Sequence, residues 1–148
     1  MKIRLIGTIH SPFKAKDECP PQGDQTVSEI EVFREYEAGL KDTEGFSHLH
    51  VFYWMHRSKG YSLSVVTPWD KKPHGLFAVR TPHRPNPLGY AVVELLERKG
   101  NVLKVRGIDA LDGTPVVDIK PYVSRIDRKD NVNDGWTEGK YGRKTRGA

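Results

Sequence analysis

The sequence predicts a mainly β protein: a mostly antiparallel sheet, curled or closed into a barrel, with short helical segments. Three observations predict it. Short apolar runs recur along the chain, several of them alternating apolar with polar as half-buried strands do. No helical pattern of ten or more residues separates those runs, which argues against a doubly wound parallel sheet. Turn-forming pairs, Gly100-Asn101 and Asp112-Gly113, sit between apolar runs and read as hairpin turns. A curled or closed antiparallel sheet satisfies all three.

The elements follow in order. Ile3 to Ile9 alternates loosely and stops at Ser11-Pro12. Ser28 to Phe33 (SEIEVF) alternates cleanly, Arg34 to Leu40 suits one or two helical turns, and 41–45 is a loop. Ser47 to His56 is the longest apolar stretch. As a strand it turns Leu49, Val51, Tyr53 and Met55 to one face, and His48, His50, Phe52, Trp54 and His56 to the other. Tyr61 to Thr67 is a further strand ended by Pro68, and Leu76 to Val79, Tyr90 to Glu97, Val102 to Ile108 and Pro115 to Ile119 complete the set. The barrel domain is expected over 1–123, followed by a short basic tail over 124–148.

Length and composition bound the function. A chain of 148 residues with 36% hydrophobic and 29% charged residues suits one soluble domain with a continuous core. No apolar run approaches a membrane span, and MKIRLIGTIHSPF lacks the apolar stretch of a signal peptide. Cys19 is alone and has no internal disulfide partner. A cytoplasmic protein is expected. The net charge of +5 favours a polyanionic partner only weakly, but its distribution is uneven. Lys140, Arg143, Lys144 and Arg146 face only Glu138 in the last fourteen residues, suiting either a solvated terminus or a grip on nucleic acid.

RTPHRPNPLG, Arg80 to Gly89, is the most informative stretch. Its three prolines fix their own φ, remove backbone donors and push their predecessors toward extended geometry. The result is a stiff loop carrying Arg80, His83, Arg84 and Asn86, built to hold polar groups in place. Its arginines offer planar donor forks to carboxylates or phosphates, or tie the loop down through backbone carbonyls. His56-Arg57-Ser58 at the end of the long strand is a second candidate site. IDALDGTPVVDIKPY is a third: Asp109 and Asp112 could accept hydrogen bonds from a ribose or an amine, and the turn's N–H groups could hold a carboxylate. CPPQGDQ, an extended Pro-rich loop, adds the Gln22 amide and the backbone near Gly23. A metal on His48, His50 and His56 would need carboxylate or cysteine partners that the spacing does not supply, so no metal is expected. No dinucleotide fingerprint, P-loop or nucleophile elbow occurs.

IGTIHSPF, GFSHLHVFYWMHR, GLFAVRTPHRPNPLG and LDGTPVVDIKPY, in this order over about residues 3–123, resemble the successive signatures of the TsaA-like, or TrmO, family. That resemblance implies an S-adenosylmethionine-dependent tRNA methyltransferase acting on N6 of threonylcarbamoyl-adenosine, just 3′ of the anticodon in threonine tRNA. It also implies a mainly β fold, a single-sheeted β-barrel of mostly antiparallel strands with short helical segments, and a homodimer with the cofactor near the subunit interface. Carried over position by position, it assigns cofactor contact to Gln22, Gly23, Arg57, Ser58, Arg80, Tyr90, Asp112, Gly113, Thr114 and Pro115. His83, Arg84 and Asp112 are the catalytic candidates. Arg80 is expected on the cofactor side and Arg84 on the RNA side, with His83, Asp112 and His56 as candidate bases. Longer family members carry a C-terminal domain thought to help hold tRNA, where this sequence has only the basic tail. The rival readings are a non-catalytic RNA-binding β-barrel and a metal-dependent hydrolase. The first would interleave basic and aromatic residues on its strands, and the second would need carboxylates near the histidines.

Overall fold

The alternation in the sequence becomes sidedness in space. In the computed structural model, which describes residues 1–15 and 25–140, β1 (Gly7–His10), β2 (Val27–Val32), β3 (His48–Trp54), β6 (Leu88–Lys99), β7 (Val102–Arg106) and β8 (Thr114–Pro121) form a closed barrel in the order β1-β2-β7-β6-β3-β8. Every pairing is antiparallel. A barrel this small has no room for a channel, so alternate side chains fill it. Ile9, Ile30, Val32, Leu49, Val51, Val93, Leu103, Val105 and Val116 are buried from the strands, and Ile108 and Ala110 close one end from the loop after β7. Burying each large aliphatic side chain contributes about 1.5–3 kcal/mol before chain entropy is subtracted. The expectation of a single-sheeted antiparallel barrel is met.

Gly89 shows how tight the filling is. A Cβ there would overlap the ring of Tyr53, the next inward residue across the β3–β6 ladder, so the strand carries glycine where the aromatic ring fits. Register shifts between Phe52 and Tyr53 and between Leu95 and Glu97 bend the sheet toward closure.

Several elements differ from the expectation. β1 begins only at Gly7, although Ile6 before it already bonds Val116 on one side and Phe33 on the other. Leu76–Ala78 is a 3-10 helical turn rather than a strand, and buries only Leu76. A strand that the sequence hid, β5 (Asp70–Gly75), pairs with β4 (Ser64–Thr67) as a two-stranded sheet outside the barrel. Its DKKPHG sequence lacks apolar alternation because neither face is buried against a core. Gly100-Asn101 does join β6 to β7 as a hairpin. Asp112-Gly113 does not join a hairpin, since β7 and β8 are not neighbours; the loop 107–113 crosses the barrel end and delivers the chain to pair with β1 and β3. Arg34–Leu40 is a 3-10 helical run whose Leu40 plugs the core.

Beyond residue 123 the described chain stays attached. The short α1 (Ser124–Asp127) is held by Asp127, and Trp136 donates its indole N–H to the Ala78 carbonyl at 2.7 Å while stacking on His74 at 4.1 Å. Among the described residues, no helix is long and apolar enough to cross a membrane.

Candidate functional site

Three chain segments meet where β1 and β3 leave the barrel and β8 enters it. The first is the exit of β1. The Ser11 N–H donates to Asp112 Oδ1 at 3.0 Å, Lys14 Nζ donates to Asp112 Oδ2 at 2.7 Å, and the Asp112 N–H returns a bond to the Phe13 carbonyl at 2.7 Å. The buried Ser11 hydroxyl donates to the Ala110 carbonyl at 2.7 Å. Both carboxylate oxygens of Asp112 are thus engaged. The Lys14 ammonium, then the Ser11 N–H, hold its carboxyl below the usual range, so it is an anchor that resists protonation.

The second segment is the loop 107–113. Tyr53, the last inward residue of β3, donates its hydroxyl to Asp109 Oδ1 at 2.8 Å. Gly113 takes a φ of +86°, which non-glycine residues rarely adopt, and donates its N–H to the Ile9 carbonyl at 2.8 Å. Thr114 is buried, with its hydroxyl on the Leu111 carbonyl at 2.6 Å. Pro115 pairs opposite Thr8 on β1. Of this expected turn, Gly113 offers exposed backbone, while Thr114 serves the fold.

The third is the Pro-rich loop with the end of β3. Ser58 Oγ donates its one proton to the Pro82 carbonyl at 2.9 Å, so the contact to His83 Nδ1 at 3.1 Å must be donated by the imidazole. Arg57 donates to the Lys14 carbonyl at 3.2 Å, which ties this corner to the exit of β1. Arg84 donates to the carbonyls of Val79 and Thr81 at 2.7 and 3.3 Å and lies over the Phe77 ring, so its guanidinium braces the loop. Arg80 is exposed, with its guanidinium carbon 5.9 Å from the centre of the Tyr90 ring. The structure therefore links Arg57, Ser58, His83 and Asp112 through shared neighbours at one mouth, with Gly113 beside them. Arg80 and Tyr90 stand on the adjoining outer surface. Gln22 and Gly23 lie outside the described residues.

Beside the mouth, an open cleft of about 560 Å³ is lined by His10, Ser11, Lys14, Ser28, Lys104 and Asp112, among others. The Ser28 hydroxyl is buried there with no hydrogen-bond partner among the described residues. Sequence reasoning missed Ser28, although its place two residues before Ile30 already puts it on the inward face of the alternating strand. Also missed was Asp127, which accepts from His50 Nε2 at 2.9 Å on the outer face of β3. Among the described residues, no group of three or more histidines, cysteines or carboxylates is placed to hold a metal.

The site is thus the polar, proline-braced mouth of a closed antiparallel barrel, carrying arginines and a glycine turn. The family described as tRNA-methyltransferase O N-terminal domain matches residues 8–128. A probable S-adenosyl-L-methionine-binding protein of Archaeoglobus fulgidus is 56% identical over 140 residues, which is 93% of this chain and 38% of that protein. The tRNA (adenine(37)-N6)-methyltransferase of Escherichia coli is 37% identical over 135 residues, 82% of this chain and 57% of the enzyme. The crystal structure of TrmO from Pseudomonas aeruginosa superposes with a TM-score of 0.76 at 31% identity, covering 92% of this chain and 62% of that one. This chain belongs to the tRNA-methyltransferase O N-terminal domain family. It spans less than two thirds of the length of each of these three relatives.

Proposed function

We propose that the protein is an S-adenosylmethionine-binding tRNA methyltransferase that methylates N6 of threonylcarbamoyl-adenosine beside the anticodon of threonine tRNA, working as a homodimer in the cytoplasm. The observation that carries the reading is the convergence of Arg57, Ser58, His83 and the Asp109–Gly113 loop at one mouth of a closed barrel. The names of the relatives and of the family point the same way.

The donor set fits a zwitterionic nucleoside sulfonium. Its carboxylate calls for an arginine fork, which Arg57 and Arg80 can offer, since the turn N–H groups at Asp112, Gly113 and Thr114 are already given to carbonyls. Its ribose hydroxyls and ammonium call for acceptors, which the Asp109 carboxylate and nearby carbonyls supply. The cofactor, when bound, supplies a methyl group on a positively charged sulfur that departs with the bonding electron pair. The protein's share is positioning, worth on the order of 7–11 kcal/mol for a well-oriented pair. The prolines on either side of Arg84 and the guanidinium bonds to Val79 and Thr81 keep that loop rigid.

Dimerisation is supported by apolar surface outside the barrel. Leu63, Val66, Trp69 and Phe77, the last 79% exposed, gather on and around the β4–β5 hairpin. Light scattering that finds only monomer across micromolar concentrations, with cofactor added, would contradict it.

Calorimetric titration with S-adenosylmethionine tests the reading directly. Binding is expected, and ligand at one hundred times its dissociation constant should stabilise the fold by about 2.7 kcal/mol. No heat and no melting shift at millimolar ligand, in protein stripped of co-purified cofactor, would favour the non-catalytic RNA-binding barrel instead.

A further inference from the structure

A chain of three hydrogen-bonded side chains crosses the outer face of the barrel and ends beneath Arg80. Asp127, on α1, faces His50 of β3, whose Nε2 lies 2.9 Å from its Oδ2. His50 Nδ1 lies 2.9 Å from the hydroxyl of Tyr90 on β6, and the two rings stack at 5.8 Å. Tyr122 covers the imidazole from the other side at 5.4 Å. The histidine is only 14% exposed and the aspartate 25%.

The direction of the proton follows from elementary chemistry. The His50 hydrogen bond, then the Val123 N–H, hold the Asp127 carboxyl below the usual range, so it is ionised at neutral pH and can only accept. Nε2 must therefore carry hydrogen. In the neutral imidazole Nδ1 is then a bare acceptor, and Tyr90 must donate its hydroxyl proton to it. The phenol is thereby the donor of this pair and the imidazole its acceptor. An aspartate that fixes a histidine tautomer so that the other nitrogen can take a proton is the arrangement of acid–base catalysis, here with a tyrosine as the outer member.

We propose that Tyr90, backed by His50 and Asp127, is the proton-accepting relay of the methyl transfer. The inference rests on the function proposed above. When the substrate nitrogen exchanges its N–H bond for a bond to the methyl carbon, one proton is released. Tyr90 takes it on the phenolic oxygen and passes its own proton to His50 Nδ1, leaving neutral tyrosine and an imidazolium balanced by the Asp127 carboxylate. The other candidates are less suited. Asp112 is committed to Lys14 and Ser11, and His83 spends Nδ1 on Ser58.

The test uses the full chain with tritiated S-adenosylmethionine and threonine tRNA carrying threonylcarbamoyl-adenosine. Tyr90→Phe and His50→Gln, the latter able to keep both hydrogen bonds but not to take a proton, should each lower kcat by on the order of 10²-fold or more. The calorimetric Kd of His50→Gln for the cofactor should stay within about threefold, since His50 is outside the expected cofactor contacts and a relay acts on the proton and not on ground-state binding. Independently of turnover, nitrogen-15 spectra of the unliganded protein should show neutral His50 protonated on Nε2, with that preference weakened in Asp127→Asn. A loss confined to Kd, an unchanged kcat in either variant, or an Nδ1-protonated His50 would overturn the relay while leaving the methyltransferase intact. A wild-type protein that binds cofactor but transfers no methyl group to that tRNA overturns both.

Discussion

The two faces of β3 obey different physics. Leu49, Val51 and Tyr53 point inward and are almost wholly buried, whereas His48, His50, Phe52 and Trp54 point outward and are half-buried. Inward, what matters is apolar volume: neighbours on β6 and β8 close around each side chain, and the gain is that of leaving water. Outward, what matters is direction, because a hydrogen bond misaligned by an ångström is lost. One strand therefore carries apolar burial on one face and directed polar contacts on the other, with Tyr53 bridging the two by presenting its hydroxyl to Asp109 at the mouth.

That contrast can be broken most easily from inside. Leu49→Ala should cost about 2–5 kcal/mol of unfolding free energy in a denaturant titration, through lost burial and the cavity left behind. A cost below about 1 kcal/mol would mean that the barrel collapses around the gap and is less rigidly filled than its burial implies. On the outer side, Arg80→Lys keeps the charge but loses the planar fork, so cofactor binding should weaken by about 1.5–3 kcal/mol with little change in melting temperature. Equal affinity in calorimetry would show that Arg80 touches no carboxylate.

Acid should sharpen the comparison. The carboxyls of Asp112, Asp127 and Asp70 are all held low, by Lys14, by His50 and by the Lys72 N–H respectively. A group whose folded pKa is depressed adds stability that is full above its unfolded pKa and is lost as pH falls through the folded value. Melting temperature should therefore be level near neutrality and drop below the ordinary aspartate range, with a shallower drop in Asp112→Asn. An identical acid slope in that variant would show the Asp112 contacts to be idle. The smallest effect is expected from Lys14→Ala. Its side chain is 69% exposed, and such surface pairs are worth roughly 0.2–1 kcal/mol, fading further in added salt.

Much of this architecture was legible residue by residue. SEIEVF and SHLHVFYWMH announced strands, and their inward sets, through alternation alone. The stiffness of RTPHRPNPLG followed from proline chemistry, and the resemblance carried by the same segments pointed to the family. The strand DKKPHG was not legible, because a strand outside the core has no apolar period to display. Nor was the role of Arg84. The sequence offers its guanidinium to a phosphate as readily as to a carbonyl, and only the folded loop sets the carbonyls of Val79 and Thr81 within reach.

What the sequence alone determined is therefore local: the period of the strands, the stiffness of the Pro-rich loop and the turn at Gly100-Asn101. Each depends on torsions and transfer energies of neighbouring residues, which the order of residues specifies directly. What the tertiary structure decided is which distant groups meet. Asp127 reaches His50 across 77 positions of sequence and Ser11 reaches Asp112 across 101. No local pattern encodes either contact, because barrel closure and the crossing of the loop 107–113 set both distances, and a polar pair has direction only once both backbones are fixed.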